Sequence, residues 1–237
     1  IFGFGIYILY SKHLHILASH PNLYFHSTRP KGTLQPIQDF ESAESFGVSK
    51  LTDFSWKHLL DLYACTECGQ CSANCPANNS GKPLKPKDVI INLKHNLMEN
   101  GKRLLSKEEK EEPTIVGSVV THDEIWDCTN CMACMEVCPV AIEHVDKLDE
   151  MRRYLVLMES NFPAEVQTVF RNMENNSNPW GIGMATRADW AKDLGVKILS
   201  EEPGEFDLLY YVGCAGSFDD RYKKVSRAMV RILQTAG

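Results

Sequence analysis

The chain has 237 residues, of which 43% are hydrophobic, and it carries a formal net charge of −6 at pH 7. This length allows one large domain or two of ordinary size, and the apolar content is normal for a globular protein. The negative charge argues against nucleic acid as a partner.

An apolar run opens the chain. Ile1–Tyr10 contains no charged side chain and is ten residues long, whereas a helix that spans a bilayer needs about 20. We therefore interpret residues 1–21 as the end of a transmembrane helix, with Lys12, Arg29 and Lys31 marking the cytoplasmic side. A buried core helix or an interfacial anchor is the alternative.

The two ends of the chain are unusual. It starts without a methionine, and its last residues run to Gly237 in a helical pattern. We expect a portion of a longer polypeptide, with sequence missing at both ends. A processed chain that simply starts at Ile1 is the alternative.

Residues 22–50 contain several prolines and glycines and are predicted to form a connector. Beyond it, apolar residues repeat at intervals of three and four, which predicts helices. The predicted helices cover residues 87–100, 142–158, 163–175 and 220–235. The charge run KEEKEE at residues 107–112 is predicted to be a solvated segment, and a docking patch for a partner is the alternative.

Two stretches repeat one four-cysteine pattern, C-x2-C-x2-C-x3-C-P, and hold eight of the nine cysteines. The first run contains Cys65, Cys68, Cys71 and Cys75, and the second contains Cys128, Cys131, Cys134 and Cys138. This spacing is the bacterial ferredoxin pattern, in which three thiolates bind one [4Fe–4S] cube and the fourth reaches the other. The proline after each run has a fixed φ and turns the chain away from the cluster.

The same rule predicts crossed ligation of two [4Fe–4S] clusters. The first cluster would use Cys65, Cys68, Cys71 and Cys138, and the second Cys128, Cys131, Cys134 and Cys75. Disulfides suit short secreted chains, and structural zinc prefers isolated C-x2-C pairs, so neither alternative fits. Thiolates in this number require a reducing compartment, which places the clusters on the cytoplasmic side. Such a pair of clusters conducts electrons and is not in itself a site of chemistry.

The pattern changes type after residue 181. Val196–Leu199 and Leu208–Val212 are short apolar runs that predict strands, and the second precedes a glycine-bearing turn and a helix. Strand, turn and helix are the start of an α/β unit. We predict a mostly α chain made of four parts: the end of a transmembrane helix (1–21), a connector (22–50), a helical two-cluster ferredoxin-like module (51–181) and the start of an α/β domain (182–237).

Two histidines close the apolar start of the chain. His13 and His15 are candidates for an axial haem ligand, since imidazole is a standard one. Residues two apart on a helix face different directions, so we expect only one of them to ligate in a given pocket. The alternative is a pair of solvated interfacial histidines. His58, His95 and His122 show no ligand-like spacing.

His144 and Cys214 remain open at this point. His144 is predicted to be a packed or surface residue, close enough to the second run to influence a cluster by hydrogen bonding. Cys214 lies at a strand-to-helix turn between glycines. It is either an inert packed thiol or an exposed ligand or reactive thiolate near a helix N-terminus.

These segments resemble the membrane-bound iron–sulfur oxidoreductases related to the D subunit of heterodisulfide reductase. The resemblance spans essentially the whole chain and is carried by CTECGQCSANCP, CTNCMACMEVCPVAIEHV, MRRYLV and NPWG. YYVGCAGSFDDR resembles the start of the cysteine-rich CCG domain of that family. The resemblance implies that Cys214 helps to bind a third, noncubane [4Fe–4S] cluster. The CCG segments themselves are absent from this sequence, and Cys214 alone cannot hold that cluster.

The N-terminal piece resembles the end of the last transmembrane helix of a cytochrome b domain of the nitrate-reductase gamma type. The segment from Ser11 to His15 matches that pattern, which implies that His15, rather than His13, is the b-haem ligand. Fusion of this domain to a two-cluster module is similar to the electron-transfer-flavoprotein:menaquinone oxidoreductases. The resemblance implies an integral membrane enzyme that passes electrons from reduced electron-transfer flavoprotein, or another soluble donor, through the clusters and b haem to menaquinone.

Two other functions stay open. A heterodisulfide-type reductase would use the CCG cluster on a thiol or disulfide substrate. A non-catalytic relay subunit of a larger respiratory complex would carry electrons without a substrate of its own. In all three functions the cofactors perform the chemistry, and the protein sets their positions and their electrostatic surroundings.

Overall fold

The computed structural model describes residues 2–9, 11, 13–30, 32–37, 40–105 and 112–237. The chain forms two compact units, Ile1–Asn161 and Phe162–Gly237. Over the described ranges the regular structure is helical, and no β-strand is formed. The mostly α expectation is therefore confirmed. The domain boundary predicted after residue 181 stays a prediction.

The first unit contains nine α-helices among its described residues. They are α1 (Phe2–Leu9), α2 (Leu14–Tyr24), α3 (Trp56–Ala64), α4 (Gln70–Ala73), α5 (Pro76–Asn79), α6 (Pro86–Leu105), α7 (His122–Trp126), α8 (Ala133–Glu136) and α9 (His144–Leu157). The short helices α4, α5 and α8 all lie within the two cysteine runs or directly after them. The cysteine runs thus form helical turns between longer helices.

The three long helices of the cluster module build one core. Leu62 of α3, Leu93 of α6 and Met151 of α9 are all fully buried, and they belong to one contiguous apolar cluster. Burial of each such side chain contributes about 1.5–3 kcal/mol. The predicted helix over 87–100 is longer than expected, because α6 continues past Gly101 to place Leu104 against the same core.

Helix α1 ends at Leu9 and helix α2 begins at Leu14, with Ser11 in a bend and His13 in a turn between them. In the described part of the chain, no helix has both the length and the apolar character needed to cross a membrane. Helix α2 packs on α3 and contains Pro21. Of the cations expected to mark the cytoplasmic side, Lys12 and Lys31 lie outside the described residues.

The second unit contains α10 (Ala164–Asn176), α11 (Cys214–Phe218) and α12 (Asp220–Ala236). The strands predicted at Val196–Leu199 and Leu208–Val212 are wrong: apart from a turn at Leu199, these residues have no regular secondary structure. A strand needs a neighbour to satisfy its backbone groups, and no strand is formed anywhere in this unit. Leu208 and Leu209 are accordingly exposed. The start of an α/β domain at residues 182–237 is thus not confirmed, and it stays a prediction.

The charge run at residues 107–112 lies almost wholly outside the described residues. Its last member, Glu112, is described and accepts hydrogen bonds from the backbone N–H and the hydroxyl of Thr52. This contact ties the end of the run to the turn that precedes α3.

Candidate iron–sulfur centres

The first cysteine run follows directly from α3. Cys65 is the C-cap of that helix, and Glu67 and Gly69 then adopt left-handed φ values of 59° and 80°. These two reversals coil the loop so that α4 can begin and place Cys71 in the interior. Cys75 then precedes α5, whose first residue is Pro76.

The second run repeats this backbone 63 positions later, with Cys128 in the place of Cys65. Asn130 and Met132 occupy the positions of Glu67 and Gly69, and their φ values are 53° and 61°. A methionine in this region is strained by about 1–3 kcal/mol. In the second run the surrounding contacts hold Met132 in the left-handed conformation that Gly69 adopts in the first run. The two runs therefore share a backbone conformation although the residue at this position differs.

The structure brings together the four cysteines predicted for the first cluster. Cys65, Cys68, Cys71 and Cys138 line one recess. Three of these cysteines come from the first run. The fourth, Cys138, comes from the second run and lies 67 positions beyond Cys71. Cys68 is exposed, whereas Cys65 and Cys71 are buried. The recess therefore presents Cys68 to solvent, encloses Cys65 and Cys71, and leaves Cys138 partly exposed.

The cysteines predicted for the second cluster also converge. Cys134 is buried in one cluster with Cys71 and Val145, and Cys128 packs against that cluster. Burial, followed by the proximity of Cys128, Cys71, Cys75 and Cys131, raises the pKa of Cys134 to about 12. Because Cys71 and Cys134 belong to one buried cluster with Val145, the two predicted cluster sites lie close together.

The thiols fit an iron–sulfur cluster chemically. Burial raises the pKa of Cys65 and Cys128, and it raises the pKa of Cys71 to about 11. Cluster assembly must therefore displace protons from these thiols, as thiolate coordination by a metal generally does.

No group of three or more His, Cys, Asp or Glu side chains in the described ranges converges on a single metal ion. In a cubane each thiolate binds a separate iron, so the sulfurs stand farther apart than around one ion.

His144 lines the first recess together with Ile142 and Lys87. Its Nδ1 lies 3.0 Å from the carbonyl oxygen of Ile142, and since a carbonyl only accepts, Nδ1 carries the proton. Burial and then the ammonium of Lys147 lower the pKa of His144 to about 4. The backbone N–H of Ile142 donates to Sγ of Cys138 at 3.4 Å. His144 is thus a packed, neutral residue beside the predicted first cluster.

Arg152 fixes the loop of the second run. Its guanidinium donates to the carbonyl oxygens of Ile125 and Cys128, and its Nη1 donates to Oδ1 of Asn130 at 2.8 Å. The amide nitrogen of Asn130 in turn donates to the carboxylate of Asp149 at 2.8 and 2.9 Å. These contacts hold the left-handed Asn130 in place. Sequence reasoning missed them, because Arg152 lies more than twenty positions away.

His13 and His15 lie closer together than expected. Their ring centroids are 6.5 Å apart and the planes differ by 24°. The expectation that they face different directions assumed that both lie on one helix, but α2 begins at Leu14 and His13 is its N-cap. The assignment of His15 as a haem ligand stays a prediction.

Cys214 is the first residue of α11 in the second unit. Nη1 of Arg187 lies 3.5 Å from its Sγ, and Nη2 of Arg187 donates to the carbonyl oxygen of Val212 at 3.3 Å. Residues 162–237 contain no other cysteine. The role of Cys214 in a third cluster also stays a prediction.

Comparison with known families agrees with this geometry. Residues 61–142 match the family model for a 4Fe-4S dicluster domain. This range contains both cysteine runs and both converging sets. The first unit of the chain therefore carries a 4Fe-4S dicluster domain.

Several curated relatives are similar along the chain. The EtfAB:quinone oxidoreductase of Syntrophomonas wolfei is 44% identical over 100% of this chain and 36% of its own length. The probable iron-sulfur-binding oxidoreductase FadF of Bacillus subtilis is 35% identical over 100% of this chain and 39% of its length. A probable membrane-anchored ferredoxin of Chromohalobacter salexigens is 33% identical over 84% of this chain and 32% of its length.

Subunits of heterodisulfide reductases also match, at 26–31% identity over 41–76% of this chain. The chain spans about a third of the length of the first three relatives. It is thus related to iron–sulfur oxidoreductases of electron transfer, and the relationship to heterodisulfide reductase subunits expected from the sequence is confirmed.

Proposed function

We propose that this chain is the electron-conducting part of a membrane-bound iron–sulfur oxidoreductase. It passes electrons from a soluble donor, reduced electron-transfer flavoprotein, through two [4Fe–4S] clusters and a b haem to menaquinone. The observation that carries the proposal is the convergence of the two cysteine runs, in which Cys71 and Cys134 belong to one buried cluster. Two clusters held there are adjacent, as electron transfer between them requires.

In this proposal all eight cysteines of the two runs are ligands of the two clusters, and none of them reacts with a substrate. The first cluster is held by Cys65, Cys68, Cys71 and Cys138, and the second by Cys128, Cys131, Cys134 and Cys75. The clusters supply one-electron transfer, and the chain supplies thiolates, spacing and exclusion of water. Cys68 and Cys131 are exposed, so each cluster has one edge that a partner can approach.

The membrane part of the proposal rests on the N-terminal helices. Phe4, Ile6 and Tyr7 of α1 are exposed, as are Ile16 and Leu17 of α2. Apolar surface of this kind suits the end of an integral membrane segment, with the clusters on the cytoplasmic side. In this proposal His15 binds the b haem. Cys214 contributes to a third, noncubane cluster in the full-length protein.

The flavoprotein donor is preferred to a disulfide substrate for a specific reason. The relative named EtfAB:quinone oxidoreductase is 44% identical over 100% of this chain, whereas the heterodisulfide reductase subunits match at 26–31%. A heterodisulfide-type reductase is the second candidate function, and Cys214 beside Arg187 is the feature that favours it.

The test uses the purified full-length protein in detergent with its cofactors. Reduced electron-transfer flavoprotein is mixed anaerobically with the protein and a menaquinone analogue, and quinol formation is followed optically. We expect quinol to form, and Cys214→Ser to lower its rate while both ferredoxin-type clusters persist by EPR. If the wild type instead oxidises no flavoprotein but reduces a disulfide, the second candidate replaces the first.

A further inference from the structure

A buried ionic network lies beside the first recess. Asp61 of α3 is completely buried and accepts a hydrogen bond from Nζ of Lys57 at 2.6 Å. It also accepts hydrogen bonds from Nζ of Lys147 and from the backbone N–H of Glu143, the latter at 3.2 Å. Lys147 is itself completely buried and donates to the carbonyl oxygen of Glu143 at 3.1 Å.

This network joins the two chain segments that supply the first recess. Asp61 lies four residues before Cys65, and Glu143 lies five residues after Cys138. The carboxylate of Asp61 thus links the helix that leads into the first run to the segment that leaves the second run. Because the first cluster needs ligands from both runs, this link fixes the position of Cys138 relative to Cys65.

The charges in the network balance. Lys57 and Lys147 are the cations and Asp61 and Glu143 are the anions, with Nζ of Lys57 3.7 Å from the carboxylate of Glu143. His58 adds no charge, because burial and then the nearby Lys147 ammonium lower its pKa to about 3. The network is therefore neutral, and removing one member leaves one uncompensated charge in a region of low dielectric constant.

The recess is within electrostatic reach of this network. Glu143, whose backbone N–H donates to Asp61, directly precedes His144, and His144 lines the recess beside the cysteines. The ammonium of Lys147 also helps to lower the pKa of His144. Lys147 is completely buried, and the field of a buried charge is screened much less than that of a surface charge. A cluster in the recess is exposed to the same field.

We propose that Asp61 is a positioning residue for the first cluster, and that the opposed charges of Asp61 and Lys147 shift the reduction potential of that cluster in opposite directions. This inference rests on the two clusters of the proposed function and on no particular donor or acceptor. Reduction adds one electron to the cluster. A nearby cation stabilises the reduced form, and a nearby anion stabilises the oxidised form.

The test is a redox titration of the purified full-length protein, followed by EPR, with iron content measured in parallel. Asp61→Asn keeps the shape of the side chain and removes the negative charge, so the potential of the first cluster should rise. Lys147→Met removes the positive charge, so that potential should fall. The double variant should return towards the wild type. In all three, the potential of the second cluster should move less.

A surface ion pair supplies the matched control. Lys82 pairs with Asp127 at 2.7 Å, but its side chain is 58% exposed, so Lys82→Met should leave the potential of the first cluster unchanged. If Lys147→Met fails to retain iron, Lys57→Met serves in its place, since Lys57 donates to the same carboxylate. Shifts of the same sign in the Asp and Lys variants, equal shifts of both clusters, or no shift at all overturn the proposal. Failure of quinone reduction in the wild type would overturn the proposed function and leave these potentials interpretable.

Discussion

The side-chain amide of Asn22 donates a hydrogen bond to the carbonyl oxygen of Val140 at 2.8 Å. Asn22 belongs to α2, and Val140 lies two residues after Cys138. Two further hydrogen bonds join the residues after α2 to the residues after Cys138. The backbone N–H of Ser27 donates to the carboxylate of Glu143, and Arg29 donates to Asp146, both at 3.1 Å. Helix α2, which begins beside His13 and carries His15, is thereby fixed to the segment that follows a predicted cluster ligand.

This link should be measurable as stability. Asn22 is completely buried, so Asn22→Leu leaves the carbonyl oxygen of Val140 without its donor and should lower the free energy of unfolding by about 1–3 kcal/mol. Asn79, whose amide donates to the carbonyl oxygen of Ala73 at an exposed site, is the control. Asn79→Leu should cost clearly less in anaerobic urea unfolding. Equal losses for the two variants would contradict a buried bond at Asn22.

Crossed ligation predicts which cluster each cysteine variant damages. Cys75→Ser should damage the cluster held by Cys128, Cys131 and Cys134, and leave the cluster in the first recess intact. Cys138→Ser should do the reverse, since Cys138 lines that recess. EPR of the reduced variants distinguishes the two clusters. Loss of the Cys65–Cys71 cluster alone in Cys75→Ser would falsify the assignment.

The buried histidine of α3 predicts a loss of stability in mild acid. The pKa of His58 is lowered from 6.5 to about 3 by burial and then by Lys147. Below pH 6.5 the unfolded chain therefore takes up a proton that the folded chain does not. From pH 6.5 to pH 5 the folded protein should lose about 2 kcal/mol through this group.

His58→Gln should remove that part of the pH dependence. The measurement compares urea midpoints of the cluster-loaded proteins at both pH values under anaerobic conditions. His95, which is exposed, is the control, and His95→Gln should keep the wild-type dependence. An unchanged dependence in His58→Gln would show that other groups account for it.

The haem proposal is tested at the start of α2. We expect His15→Ala to lose the b haem or convert it to high spin, and His13→Ala to retain a low-spin haem in optical and EPR spectra. The two rings are only 6.5 Å apart, so each variant is a control for the position of the other. The reverse pattern moves the ligand to His13. No effect from either variant would require another route for the electrons.

The elements with strong periodicity could be predicted from the sequence. The helix predicted over 142–158 is found as His144–Leu157, and the helix predicted over 220–235 as Asp220–Ala236. The cysteine spacing likewise predicts the ligand set that lines the first recess, because the ferredoxin rule fixes which thiolate crosses over.

Other features depend on contacts that spacing does not encode. The run Leu208–Val212 has strand composition, but a strand also needs a partner, and none is formed in the second unit. Lys57 and Asp61 show the four-residue spacing of a helical ion pair, which was a usable signal. Their third member, Lys147, is 86 positions from Asp61, and only the folded structure reveals that all three are buried together.

The exposure of Cys68 and Cys131 has a chemical cost. Both are the second cysteine of their run and both face solvent, while Cys71 and Cys134 at the centre are buried. Dioxygen dissolved in water therefore meets each predicted cluster first at the iron bound by the exposed thiolate. Oxidative damage should begin at the irons bound by Cys68 and Cys131 and then reach the buried irons. The exposed sides that allow electron exchange with a partner therefore also limit the lifetime of the clusters in air.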